Sequence, residues 1–165
     1  MFDIESSLTR LVALSYLRHR GAVLSGRDCF QRWVNEQFMR LPIRHEWVNY
    51  DPYPDSECMR IDLAATGILK ITTRNNQAVL DPKVNLMFRA VHDFDHCRFG
   101  YRFGMGGETL AGRSIMSRCA DQTGRQFVFS EIIAQAAVHL ETGRFPKQKF
   151  VPFPVGLIDD LVLGA

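Results

Sequence analysis

The stretch SEIIAQAAVHLETG, residues 130–143, constrains the fold more than any other part of the chain. Ser130 suits a helix start, Gly143 a helix end, and Pro146 lies just beyond, so the segment predicts a helix. Ile132, Ile133, Ala134, Ala136, Ala137, Val138 and Leu140 make it apolar on most sides. A helix of that kind belongs inside a core. One stripe departs from the pattern, because Glu131, Gln135 and His139 stack at i, i+4 and i+8 on a single face. A buried charge is costly unless it is paired, hydrogen-bonded or bound to metal, so the stripe needs a polar partner inside the protein. The plainer reading makes it the wet side of the helix, with Glu141 as a second hydrophilic spot.

A partner set stands upstream in AVHDFDHCRF, residues 90–99. Asp81 as N-cap, Pro82 in the first turn and an apolar face of Val84, Met87, Phe88 and Val91 predict a helix over residues 81–99. On it the apolar stripe continues toward Asp95, His92 and His96 lie along its edge, and Asp93 points to the other side. Two histidines at i and i+4 sit one turn apart and can share one metal ion. The bland alternative is a pair of half-buried histidines satisfied by backbone or by Asp95. Two histidines and one carboxylate are the minimum set for a catalytic iron or zinc site with open positions. The expected ligands are His92, His96 and Glu131, with His139 and Asp95 in reserve. Asp93 or Glu108 is the expected base, and Gln135 and Glu108 would orient water or substrate.

Between these helices, GYRFGMGGETLAGRS carries five glycines, which predicts a loop that approaches something closely, followed by a helix from about Glu108. It is not a phosphate loop, since the G-K-[ST] ending and a preceding strand are both missing. Upstream, residues 4–20 and 30–41 read as plain core helices, the second capped by Asp28 and stopped by Pro42. Met59, Ile61 and Leu63 alternate as a strand would, Gly67 turns, and residues 68–73 give a second strand ending at the turn RNNQ, so a small antiparallel hairpin is expected.

A chain of 165 residues, 46% of them hydrophobic, supports one core, and a single domain over residues 1–165 is expected. The fold class expected is α+β, mostly α, with helices packed around a buried polar or metal site. Residues 145–165 are expected as an extended C-terminal tail that wraps its own domain or joins a second copy in a homo-oligomer. The start MFDIESSLTR does not read as a secretory leader, and no run approaches about 18 apolar residues, so no membrane partner and a cytoplasmic location are expected. Cys29, Cys58, Cys97 and Cys119 are scattered without a C-x-x-C pair, which suits neither a disulfide framework nor a four-cysteine zinc site. A net charge of +2 gives no case for nucleic acid, yet the basic residues are mostly arginine and suit small anions.

The stretches FRAVHDFDHCRFGYRFGMGGETLAG and FSEIIAQAAVH together resemble a group of largely uncharacterised bacteriophage proteins with the pattern R-A-V-H-D-x-x-G-H, then F-G-x-x-G-E, then E-x-x-x-Q. The likeness spans about residues 88–139 and matches at His92, Asp93, His96, Glu108, Glu131 and Gln135. One residue fewer separates the histidines here, and Asp95 stands where that pattern has glycine. The resemblance implies a phage or prophage origin and a metal-type site. The histidine motif with a later glutamate is also similar, in its ligand set alone, to aromatic amino acid hydroxylases, in which two histidines and one glutamate hold iron. The expectation is therefore a metal-dependent enzyme using a divalent ion, iron or zinc, on a small or anionic substrate. The rival is a non-enzymatic phage accessory or inhibitor protein whose histidine cluster is structural.

Overall fold

The computed structural model describes residues 4–76 and 79–163. Residues 1–3, 77–78 and 164–165 fall outside it, and with them the first residues of the leader reading, Gln77 of the RNNQ turn and the end of the tail. The protein is mostly helical with one small sheet, an α+β chain as expected. It divides into two compact units, residues 1–25 with 112–165, and residues 26–111. Among the described residues no helix is long and apolar enough to cross a membrane.

The unit of residues 26–111 is built on α2 (Arg27–Met39), β1 (Arg44–Val48), α3 (Ser56–Thr66), β2 (Ile68–Thr72), α4 (Pro82–Phe99) and the start of α5 (Met105–Arg118). β1 and β2 pair in parallel, with Arg44 beside Ile68 and Val48 beside Thr72. This corrects the expected antiparallel hairpin. Parallel neighbours need a crossover, and α3 provides it. The alternation of Met59, Ile61 and Leu63 belongs to α3, where Met59 is buried and Ile61 is exposed. Its ends follow local rules: the Asp55 side chain accepts from the Cys58 amide at 2.7 Å, and Gly67 closes the helix at φ 67°. Met59, Leu69, Ile71, Ala90 and Cys97 form the core beneath, with Phe38, Leu41, Ile43, Tyr53, Leu63 and Phe94 packed against it.

α2 packs on α4, where Phe30 meets Phe88 edge-on at 6.0 Å. Gly26, not Asp28, caps α2. Asp81 stands at the cap position of α4 without a side-chain capping bond, because its carboxylate accepts from Arg27 at 2.5 Å and Gln31 at 3.0 Å.

The other unit holds α1 (Ile4–Arg18), the remainder of α5, α6 (Gln122–Val128), a π-helical turn (Phe129–Ala134), α7 (Gln135–Thr142) and α8 (Val155–Leu163). Ser130 does not begin a helix, as it was expected to do. Asp121 caps α6 by accepting from Gly124 at 2.7 Å, and the helical path continues through the π-helical turn into α7. The Ser130 hydroxyl instead donates to the Lys149 carbonyl at 3.3 Å and accepts from the Val151 amide at 3.0 Å. The Gln126 side chain clamps the Phe153 backbone, donating from Nε2 to its carbonyl at 2.6 Å and accepting at Oε1 from its amide at 2.7 Å. Phe150, Val151 and Phe153 are buried in consequence. After residues 144–154, which lack helix and strand, Val155–Leu163 turns helical, so the extended path does not hold to the end. Ile158 is fully buried and α8 packs on α6.

Candidate metal centre

α4 presents His92 and His96 one turn apart, their rings 4.5 Å between centroids and nearly perpendicular. The Nε2 atoms of the two rings face each other at 3.1 Å. Glu108, in the first turn of α5, brings Oε2 to 2.8 Å from His92 Nε2 and 3.5 Å from His96 Nε2. Among the described residues these three are the group of histidine, cysteine and acidic side chains able to hold one ion.

Local backbone rules produce the convergence. Gly100 ends α4 at φ 68°, a left-handed conformation that favours glycine, and the chain turns back beside His96. Gly107 then seats the following loop on α5: a Cβ there would lie 1.6 Å from the Arg102 carbonyl oxygen. Only glycine allows that approach, and Glu108 follows immediately.

The outer nitrogens fix the rings. His96 Nδ1 donates to the Tyr101 carbonyl at 3.0 Å, so the neutral ring carries its lone pair on Nε2. His92 Nδ1 donates to the Asp93 carboxylate at 3.2 Å, which likewise turns Nε2 inward. His96 is buried and His92 half-buried. Burial opposes a charged imidazole at His92, yet the Glu108 and Asp93 carboxylates outweigh it and hold its pKa well above the ordinary histidine range. Burial likewise opposes the Glu108 carboxylate, and the charge on His92 holds that carboxyl far below its usual range.

A proton between His92 and Glu108 therefore satisfies the group when no metal is bound. A metal ion would take the same place. With ligand bonds of about 2.1 Å, adjacent ligand atoms lie roughly 3.0 Å apart at right angles and roughly 3.4 Å apart at the tetrahedral angle. The observed 2.8, 3.1 and 3.5 Å bracket those spacings.

The residues expected on the second helix group differently. Glu131 lies in the other unit, where it accepts from Gln135 at 2.7 Å and from Gln148. Gln135 is buried, and Tyr16 nearby is pushed up to about 12 by burial. His139 is exposed and stacks flat on Phe145 at 4.2 Å. Asp95 is buried, and Asp93 orients His92. The carboxylate that joins the histidines is thus Glu108, which sequence reasoning had placed as a base or a positioning residue. The signal for it was the pattern F-G-x-x-G-E with a glycine forced next to it.

No family model, no curated protein and no solved structure matches this chain.

Proposed function

We propose that the protein is a metal-dependent enzyme in which His92, His96 and Glu108 hold one divalent ion, iron(II) or zinc, and that it acts on a small or anionic substrate. The observation that carries this reading is the convergence of three ligand atoms, two of them on imidazoles whose outer nitrogens are already engaged. Histidine ligands in catalytic sites are oriented in this way by a carbonyl or carboxylate behind the ring. Two histidines and a carboxylate are a set shared by hydrolytic zinc sites and non-haem iron sites, both of which keep positions open for water or substrate. The ion would supply Lewis acidity to a substrate or water oxygen.

The chain's own residues have distinct roles. Tyr101, through its carbonyl, holds the His96 tautomer; Asp93 holds that of His92. Glu108 supplies the negative charge that favours a dication over a neutral guest. Elemental analysis of purified protein, and of protein loaded with iron(II) or zinc after chelation, tests the reading. About one ion per chain is expected. A wild-type chain that takes up neither metal overturns it.

A further inference from the structure

Beside the histidine pair, the turn after α4 exposes an aromatic ridge that the core does not use. Phe99 is 44% exposed and Phe103 42%, although the buried core of their unit is built from other residues. Phe103 meets the His96 ring edge-on at 5.3 Å, Tyr101 meets it at 6.4 Å, and Phe99 stacks on Tyr101 at 5.4 Å. The Arg98 guanidinium lies 5.1 Å above the Phe99 ring. Arg102 is exposed within the same turn.

Single exposed phenylalanines need no explanation. Here Phe103 and Tyr101 adjoin one imidazole, Phe99 extends the row through Tyr101, and the same turn carries two guanidiniums, one of them over the Phe99 ring. Among the described residues, neither Arg98 nor Arg102 forms an ion pair or a side-chain hydrogen bond. The carboxylate that feels the Arg102 charge, Glu57, already accepts from Nη2 and Nε of Arg60, at 2.6 and 2.9 Å. Their charge therefore remains available to a ligand. Aromatic faces stack on flat rings, and guanidinium forks take phosphate oxygens.

We propose that this ridge binds a nucleoside monophosphate unit, its base against Phe99 and Phe103 and its phosphate toward Arg98, Arg102 and the metal centre. The inference rests on the reading of that centre as a metal site and names the substrate class that would reach it. The unit has two sources, a free nucleotide or the end of a single strand.

Equilibrium dialysis of the zinc-loaded full chain separates the cases, with adenosine monophosphate, adenosine, inorganic phosphate and a short oligodeoxyadenylate as probes. The nucleotide should bind about tenfold or more tighter than phosphate, the worth of one stacked base, and tighter than adenosine, which lacks the group the guanidiniums take. Phe99→Ala and Arg102→Ala should each weaken nucleotide binding with the zinc content unchanged, since neither side chain is a ligand. A tighter oligonucleotide identifies a strand end, and equal affinity a free nucleotide. Phosphate binding as tightly as the nucleotide, or nucleotide affinity unchanged in both variants, overturns the proposal. Metal content measured on the same samples tells the two readings apart. A loaded chain that ignores the nucleotide sinks the ridge alone, and a chain that takes no zinc sinks the metal centre whatever the ridge binds.

Discussion

Two glutamates, Glu131 with a partner one turn along its own helical path and Glu108 facing a neighbouring helix, end in opposite electrostatic situations. Glu131 receives amide N–H groups from Gln135 and Gln148, so donors meet an acceptor. At Glu108 the neighbours are imidazole nitrogens whose other sides are already donating, so three acceptor atoms face one another. Amides complete a carboxylate without help, whereas converging lone pairs need a cation, either a proton or a metal. A stripe of polar residues on a helix therefore says little about chemistry until the direction of each lone pair is known.

The largest expected effect follows from removing the acceptors. His92→Ala with His96→Ala should lower metal affinity by roughly a hundredfold or more, since loss of a residue that merely orients a ligand already costs 10–100-fold. Helical content should be retained, because Phe88, Ala90 and Val91 supply the buried face of α4. Metal binding equal to wild type, measured by titration after chelation, breaks the contrast.

Next, Glu108→Gln should strip the metal while Glu131→Gln should not. The second variant leaves amides facing an amide and should cost about 1–3 kcal/mol of stability. Metal content and urea unfolding read the two effects separately. Equal metal loss from both variants would return Glu131 to the ligand set.

How far the sequence foresees this arrangement depends on which residues are local in their logic. The His92/His96 pair, Pro82 at the start of α4 and Gly143 at the end of α7 are visible because helical spacing and caps are rules of a few residues. The same rules were available for α3, where Asp55 and Gly67 flank the eleven helical residues, but the Met59/Ile61/Leu63 alternation hid them. The real partner of β2 is RHEWV, exposed along most of its length, so it carries no hydrophobic period to detect. The choice of Glu108 over Glu131 hangs on Gly107 meeting the Arg102 carbonyl, a contact within one irregular loop that no periodicity encodes. The helical path through residues 122–142 was legible only in its second half, because the Ser130 hydroxyl, a plausible cap, serves Lys149 and Val151 instead.

A smaller effect tests burial in both units at once. Burial pushes the Cys97 and Cys119 thiols and the Tyr16 hydroxyl each up to about 12. The unfolded chain releases these protons from about pH 9 for the thiols and about pH 10 for the phenol, while the folded chain retains them to about 12. The unfolded state then binds fewer protons, so stability falls as pH rises through that window, by at most about 1.4 kcal/mol per group per pH unit. Urea midpoints at pH 8 and pH 10.5 should show the fall. A flat profile would mean that the thiols are open to solvent.

The finest test uses the same two thiols as local reporters. Cys29 and Cys58 are exposed and should react at once with a thiol reagent, whereas Cys97 and Cys119 are buried and should react only when their surroundings open. Cys97 follows His96 directly on α4, and Cys119 lies just past the end of α5 in the other unit. A metal held by His92, His96 and Glu108 ties α4 to the start of α5 and stabilises only conformations in which those ligands are together. Opening around Cys97 then becomes rarer in proportion to metal concentration over its dissociation constant. Labelling of Cys97 should slow on metal loading while labelling of Cys119 keeps its rate. Equal slowing at both thiols would show that the ion stabilises the chain as a whole, and no slowing at Cys97 would place the ion away from α4.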